Sequence, residues 1–484
     1  YGIGTMGKSA YEFVDLLKKA GQSYWQILPL GQTGYGDSPY QSFSTFAGNP
    51  YFIDLDMLRA EGLLTLTECE EVAVCDNPAY IDYEKMYNSR YRVLRKAFAR
   101  FDEKSAKKYD RFEKNNAVWL DDYALYMACK AHFDQKPWTE WDEDIRLRKK
   151  KALKSYREKL AEEIRFWKFL QYYFLRQWKK LKKYANKNGI EIIGDIPIYV
   201  AFDSADTWAN PELFQLDAKG YPIAVAGCPP DVFSATGQLW GNPLYDWTYH
   251  KHTDFAWWME RIAHCYRLYD VVRIDHFRGF EAYYAIPYGD PTAEYGHWEK
   301  GPGYALFAHM KEVLGERKVI AEDLGFLTKE VHELVRMTGY PGMKIIEFAF
   351  SDYQDNDYLP HNYVKNCIVY TGTHDNETLE GYIHNLSKKD MQFIKEYCDC
   401  NSEKKLSKAL IRIALMSAAD TAIIPIQDYL GLGNEARINE PSTLGDNWKW
   451  RLVDGQFTEE TAKEMAALAK ISFRASKKVK KKEK

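Results

Sequence analysis

The sequence has no long apolar run, no surplus of positive charge and no cysteine pair of the kind that holds zinc. The 484 residues contain no apolar run that approaches the roughly 18 residues needed to cross a membrane, and no signal segment is visible. Lys and Arg total 66 against 69 Asp and Glu, so neither nucleic acid nor an anionic membrane is expected as a partner. The 8 scattered cysteines form no C-x2-C pair, which indicates reduced thiols in a cytoplasmic protein. A neutral substrate fits this composition.

The chain is rich in apolar and aromatic residues. A hydrophobic content of 46% supports a substantial core. Aromatic residues reach 15%, and their rings either fill that core or stack on the C–H faces of sugars. Composition therefore indicates a globular protein without indicating an oligomeric state.

Strand and helix patterns alternate along much of the chain, which predicts a parallel α/β sheet and, at this length, a (β/α)8 TIM barrel. A closed barrel needs one more strand than the sequence offers, because the predicted strands number seven, near residues 25, 192, 272, 319, 345, 368 and 423. The first strand is expected to lie before Tyr1, with roughly 20 further residues there for one strand and its loop.

Residues 1–484 are interpreted as a single catalytic barrel with two insertions. Charged helical patterns with few β-branched runs predict a mainly helical subdomain at 51–187, including one long helix from Lys154 to Tyr184. A second insertion at 201–265 carries residues 226–243, which lack periodicity and are expected to form a long binding loop. The lysine-rich end, 476–484, is expected to be disordered and solvated.

The stretch Val271–Phe280, VVRIDHFRGF, ends a β-branched run in a carboxylate between basic residues. Polar groups at the carboxyl end of a barrel strand are where such folds place their chemistry, so Asp275 is a candidate nucleophile. Arg273 is two residues earlier, on the same side of the strand, and can keep that carboxylate ionised. The alternative is a structural Asp–Arg pair.

Two more predicted strands end in acids, Glu322 in AEDLG and Asp375 in THDN. Three converging carboxylates suit glycosyl transfer, with one nucleophile, one proton donor and one group that holds sugar hydroxyls. His276 and His374 adjoin two of these acids, and strand alternation predicts that the imidazoles point away from them. A metal site is therefore not favoured, and no metal is predicted.

Two loops offer further candidates for substrate contact. The glycine-rich loop after the first strand presents Ser38 and Tyr40, and Tyr40 is either a sugar-stacking platform or a loop anchor. In the 226–243 loop, aromatic rings could stack on sugars and polar groups could bind hydroxyls, namely Phe233, Trp240, Asp231, Gln238 and Asn242.

These motifs, from Tyr1 to about Leu452, resemble the 4-α-glucanotransferases called amylomaltases or disproportionating enzymes, of the α-amylase-like clan. The resemblance extends to SPYQS (38–42), GNPYFIDL (48–55), GDIPIYVA (194–201), AGCPPDVFSATGQLWGNPLY (226–245) and QDYLGLGNEARIN (427–439). It implies that Asp275 is the nucleophile, Glu322 the acid/base and Asp375 the transition-state stabiliser. It also implies no cofactor, maltooligosaccharides and α-1,4-glucans as donor and acceptor, and substrate-binding roles for Ser38, Tyr40, Arg273, His276, His374, Asn376, Asp231, Phe233, Gln238 and Trp240.

Two other functions remain open. An amylase-type hydrolase shares the barrel and the order of the three acids, and differs only in whether water or a sugar hydroxyl attacks. A non-catalytic glucan-binding protein on the same barrel would be expected to lack at least one of the carboxylates, and all three are present.

Overall fold

A computed structural model describes residues 1–34, 36–102, 107–230, 234–325, 327–351 and 353–476. Its strands are β1 (Tyr24–Gln26), β2 (Glu191–Pro197), β3 (Ala224–Cys228), β4 (Gln238–Pro243), β5 (Val271–Asp275), β6 (Ala282–Pro287), β7 (His297–Lys300), β8 (Val319–Ala321), β9 (Gly342–Ile345), β10 (Cys367–Tyr370) and β11 (Thr421–Ile423). Its helices are α1 (Lys8–Lys19), α2 (Leu55–Ala60), α3 (Leu66–Glu70), α4 (Tyr83–Ala99), α5 (Lys107–His132), α6 (Glu143–Arg146), α7 (Lys150–Lys159), α8 (Ala161–Lys187), α9 (Ala205–Ala209), α10 (Trp247–His252), α11 (Ala256–Leu268), α12 (Tyr304–Leu314), α13 (Lys329–Thr338), α14 (Leu379–Asn385), α15 (Lys388–Tyr397), α16 (Leu406–Met416), α17 (Ile426–Leu430) and α18 (Glu459–Ile471). Across these described ranges, no helix is both long enough and apolar enough to span a membrane.

Each of the seven predicted strand positions falls in or beside an observed parallel strand. Four strands pair in the order β1-β2-β5-β8 and three in the order β11-β10-β9. The Ala321 N–H donates to the Pro341 carbonyl at 3.0 Å and links the two groups. β1 and β11 are not paired in the described residues and border a cavity of about 1440 Å³. The sheet is therefore an α/β barrel wall that does not close, and closure by an eighth strand stays a prediction.

The barrel interior is filled by inward-facing residues from five strands, with one or two residues from each. These apolar side chains pack together as Ile193, Val271, Ile320, Met343, Ile345, Ile368 and Tyr370. Because strand side chains alternate, the residues two positions further along β2 and β5 also face inward, toward the carboxyl end. On the opposite side of β2 the Gly194 backbone meets Tyr269, where an added Cβ would lie 2.2 Å from the ring. The interior therefore changes from apolar to polar along its axis.

The region 51–187 is helical, with one difference from the pattern expected. The helix expected from Lys154 to Tyr184 is divided at Leu160, whose φ of −105° and ψ of 20° end α7 before α8 begins. α7 has no buried residues, whereas α8 packs against α5 and buries Trp167, Phe174, Trp178 and Leu181. The break lets α7 follow the surface while α8 keeps its apolar stripe on the core.

The expectation of a long loop without secondary structure at 226–243 is wrong. β3 and β4 form an antiparallel hairpin in a second sheet of order β4-β3-β6-β7, so β6 and β7 were also missed. β3 is the short, small-residue segment AVAGC, and β4, QLWGNP, contains Gly and Pro. Such segments lack the β-branched alternation that marks a strand, and cross-strand pairing stabilises them instead.

The strands predicted near residues 345 and 423 are short. The run Met343–Phe350 leaves the strand at Ile345 and enters a 3-10 turn, Ile346–Phe348. The run Thr421–Asp428 leaves it at Ile423, because Pro425 has no N–H for a ladder and precedes α17. Both changes place acidic residues beyond the carboxyl ends of these strands, Glu347 in the 3-10 turn and Asp428 in α17.

The stability of this core is expected to fall in mild acid because of His264. This buried imidazole on α11 makes one hydrogen bond, to the Phe46 carbonyl at 2.9 Å, and burial lowers its pKa to about 4. Because this pKa is below the unfolded value of about 6.5, the unfolded chain takes up the proton first as pH falls. The free energy of unfolding is therefore at its full value above pH 6.5 and decreases by about 3 kcal/mol as pH falls toward 4. Denaturant titrations across this range should show a shallower acid slope for His264→Gln than for the wild type. An unchanged slope would contradict this assignment.

Candidate active site

Arg273 lies at the centre of the site, buried near the carboxyl end of β5. Its Nη1 atom donates to both carboxylate oxygens of Asp195, at 2.8 and 2.7 Å, and to Oδ1 of Asp275 at 3.0 Å. The pairing of β2 with β5 sets Asp195 directly beside Arg273, and alternation along β5 puts Asp275 on the same side. The predicted contact with Asp275 is present. The second partner, Asp195, was not among the predicted site residues.

A chain of contacts leads from Asp195 to Asp375. The Tyr40 hydroxyl donates to Oδ2 of Asp195 at 2.7 Å and lies 3.4 Å from Nδ1 of His374. The Tyr40 ring stacks on the imidazole, with centroids 5.0 Å apart and planes 17° apart. Nε2 of His374 lies 3.4 Å from Oδ1 of Asp375. One face of Tyr40 is therefore occupied by His374, as in the loop-anchor alternative.

Backbone N–H groups hold the carboxylate of Glu322 just beyond β8. Its Oε2 accepts from the His276 N–H at 2.7 Å, and its Oε1 accepts from the Leu324 N–H at 2.8 Å. His276 can offer this donor because its backbone is left-handed, with φ 53° and ψ 48°, which turns the chain directly after Asp275. The turn therefore brings the β5 and β8 carboxylates to the same part of the cleft.

Burial raises the pKa of both carboxyls. Burial raises the pKa of Asp275 well above its usual value, Arg273 lowers it, and Glu322 raises it again. For Glu322 burial also raises the pKa, while Arg273 and the two backbone donors lower it. The side chain of Asp275 keeps 29% exposure and that of Asp375 keeps 44%, so both are open to a ligand. The cleft therefore contains two carboxyls that hold protons more tightly than free acids do.

Asp375 is supported from a distant segment, 427–439. Asn439 Nδ2 donates to Oδ1 of Asp375 at 2.7 Å, and Arg437 Nη2 donates to its backbone carbonyl at 2.9 Å. The Asn439 N–H also donates to the His374 carbonyl at 3.0 Å. The motif NEARIN was visible in the sequence, but only the three-dimensional contact gives its residues a role.

The two histidines do not behave alike. His374 faces Asp375, so the expectation that alternation turns both imidazoles away from the acids is wrong for His374; β10 ends at Tyr370, and alternation does not extend into the following loop. The His276 ring packs edge-on against Trp240, with centroids 4.8 Å apart, and its Nε2 atom is buried without a hydrogen-bond partner. Burial lowers the pKa of His276 to about 3, so the ring is neutral.

The other candidates lie around this centre. Gln238 accepts from the Trp240 indole N–H at 3.0 Å, which orients that ring on β4. Ser38 Oγ accepts from the Tyr40 N–H at 3.2 Å, and Asn376 Oδ1 accepts from the Thr373 N–H at 2.8 Å, so these two polar groups stabilise their own loops. Asp231 and Phe233 lie outside the described residues. Among the residues described, no group of three or more His, Cys, Asp or Glu side chains suits a metal ion.

Comparison with known proteins assigns the chain to a family. A family model described as 4-alpha-glucanotransferase matches residues 1–456. A 4-alpha-glucanotransferase of Clostridium butyricum is 53% identical over 473 residues, 97% of each chain, and one of Thermus thermophilus is 45% identical over 489 residues, 98% of this chain and 96% of the other. The chain belongs to the 4-alpha-glucanotransferase family and is a glycosyl-transferring enzyme.

Solved structures show the same fold. The amylomaltase from Streptococcus agalactiae in complex with acarbose superposes with a TM-score of 0.96 at 42% identity, over 98% of this chain and 96% of that one. The amylomaltase from Corynebacterium glutamicum, at 18% identity, superposes with a TM-score of 0.75 and supports the fold alone. The predicted family is therefore confirmed, together with activity on α-1,4-glucans.

The Asp195→Asn variant tests whether Asp195 sets the charge at Asp275. Loss of a buried partner of Arg273 should destabilise the protein by about 3 kcal/mol. Because the Asp195 charge raises the pKa of Asp275, its removal should also move the acid limb of kcat/KM to lower pH. Asp203→Asn is the matched control, since Asp203 pairs with buried Lys130 away from the cleft. An equal shift in both variants would contradict the assignment.

Proposed function

We propose that the enzyme transfers α-1,4-glucan segments between maltooligosaccharides by a retaining double displacement. A carboxylate oxygen of Asp275 attacks C1 of the donor glucosyl unit, the C1–O4 bond breaks, and Glu322 gives its proton to the leaving oxygen. The 4-hydroxyl of an acceptor then attacks C1 and breaks the ester, and Glu322 takes the hydroxyl proton. Asp375 holds glucosyl hydroxyls as positive charge develops on the sugar ring.

The contact that carries this assignment is the one between Arg273 and Asp275. Two nearby carboxyls with raised pKa values cannot both ionise easily, so the pair keeps one proton over a wide pH range. Arg273 donates to the Asp275 oxygen, whereas Glu322 receives only backbone N–H groups. The Arg273 guanidinium favours the ionised form of Asp275, as a nucleophile requires, and we assign the shared proton to Glu322.

The geometry around the carboxylates supports a glucosyl unit as the ligand. The buried Nε2 atom of His276 lacks a partner, and a sugar hydroxyl would supply one. Trp240 stands edge-on to His276 and forms an aromatic wall suited to a sugar face. Asp231, Phe233 and Gln238 remain proposed acceptor contacts, as Ser38, Tyr40 and Asn376 remain proposed donor contacts. The acarbose complex of the S. agalactiae amylomaltase supports a maltooligosaccharide-like occupant.

The role of Glu322 is tested by substrates that differ in leaving group. Glu322→Gln cannot protonate a departing sugar oxygen, so maltosyl transfer should fall by several orders of magnitude. The leaving group of an activated aryl glucoside or a glucosyl fluoride departs without a proton, so the first step with these donors should be slowed far less. Initial rates measured with both donor classes give the comparison. Equal losses would show that Glu322 is not the acid.

The choice between transfer and hydrolysis is tested with maltotriose. A sugar hydroxyl oriented over the ester can outcompete water, because orientation alone is worth several kcal/mol. Incubation should yield glucose together with maltopentaose and longer chains, at a nearly constant total of reducing ends. Reducing ends that rise in step with maltotriose consumption would show that water is the main acceptor.

A further inference from the structure

Glu347 lies against the loop that carries His374 and Asp375 but has no part in the chemistry proposed above. It is in the turn after β9, which pairs with β10 up to Ile345 and Tyr370. The Glu347 N–H donates to the Thr371 carbonyl at 3.2 Å. The residue is therefore attached to the first position of the loop 371–376, which carries His374 and Asp375.

The carboxyl of Glu347 packs directly on the backbone of that loop. A Cβ added to Gly372 would lie 2.5 Å from Oε1 of Glu347 and 3.1 Å from Cβ of Asn376. Glycine is therefore the residue that permits this approach. The Oε1 atom is shielded from solvent and has no hydrogen-bond partner. A buried carboxyl oxygen without a hydrogen bond costs far more free energy when the group is ionised than when it is neutral.

The charges around Glu347 are mainly negative. Burial raises the pKa of Glu347 well above its usual value, Asp428 and Glu377 raise it further, and Arg437 lowers it. Asp428 is buried and accepts from Thr371 Oγ1 and the Leu379 N–H, and burial raises its own pKa to about 6. Tyr382 faces Glu347 from α14, and burial and then Glu347 raise its pKa.

We propose that Glu347 is a positioning residue for the transfer reaction, which packs its carboxyl against Gly372 and so holds His374 and Asp375 toward the cleft. The inference rests on the proposed role of Asp375. The carboxyl acts in its protonated form, because ionisation would put another negative charge beside Asp428 and Glu377. Ionisation at high pH would then displace the loop, and a misplacement of about 1 Å in a catalytic group can cost about a hundredfold in rate.

The test compares Glu347→Gln and Glu347→Ala with the wild type, using maltotriose. The amide keeps the size of a neutral carboxyl, so Glu347→Gln should retain kcat within about twofold at neutral pH. Because the amide cannot ionise, its alkaline limb of kcat should move to higher pH. Glu347→Ala should lower kcat at least about tenfold with little change in KM, since it loosens the loop and leaves sugar binding in place.

Glu377→Gln is the matched control, because it removes a charge from the same acidic cluster without touching Gly372. Its amide oxygen can still accept from Asn385 and Asn434, as the Glu377 carboxylate does. Since Glu377 raises the pKa of Glu347, this variant should shift the alkaline limb in the opposite direction, to lower pH.

Two outcomes would overturn the inference. One is an equal loss of kcat in the Gln and Ala variants of Glu347, and the other is a wild-type kcat and pH profile in both. If Glu347→Ala does not fold, the opposite shifts of Glu347→Gln and Glu377→Gln still decide the question. Each variant is compared with the wild-type rate, and this comparison does not depend on which carboxylate attacks C1. A failure of the inference on Glu347 is therefore distinguishable from a failure of the proposed mechanism.

Discussion

The buried guanidinium of Arg273 is the interaction on which the rest of the site depends. A charge in the barrel interior is tolerated only with carboxylate partners, and Arg273 has two, Asp195 on the neighbouring strand and Asp275 two residues along its own. The register of β2 against β5 places the first, and the strand period places the second. The fold and the charge of the proposed nucleophile, Asp275, are therefore set by the same contacts.

This ion pair also orders the groups on the far side of the cleft. Asp195 accepts from Tyr40, Tyr40 stacks on His374, and His374 faces Asp375. Asn439 and Arg437 hold Asp375 from the outside, and Glu347 packs beneath its loop. A carboxylate held from several directions loses little freedom when a sugar binds, which is how preorganised groups lower a reaction barrier. These contacts thus fix the position of Asp375 in the cleft before a sugar binds.

Much of this fold follows from local patterns in the sequence. The seven parallel strands lie at the predicted positions, because short β-branched apolar runs carry a local signal. The three carboxylates stand out because each ends or closely follows such a strand: Asp275 ends β5, Glu322 comes directly after β8, and Asp375 lies in the loop after β10. The antiparallel sheet was missed, since short segments such as β3 depend on partners that are distant in the chain.

The contacts that support the site were missed for the same reason. Tyr40 and Asp195 are 155 residues apart, and Asp375 and Asn439 are 64 apart, so no local pattern links them. Glu347 gave no sequence signal, because its importance comes from packing on Gly372. A strand pattern in the sequence predicts the position of an acid, whereas the partners of that acid depend on long-range contacts in the folded protein.

The central claim is that Asp275 forms a covalent bond with the glucosyl unit, and trapping of this ester tests it most directly. Glu322→Gln treated with α-glucosyl fluoride should complete the first step, because fluoride leaves without a proton, and then stall because no base activates an acceptor. Peptide mass spectrometry should find one glucosyl group on the peptide that contains Asp275. A glucosyl group on another carboxylate, or release of fluoride without any adduct, would contradict the account.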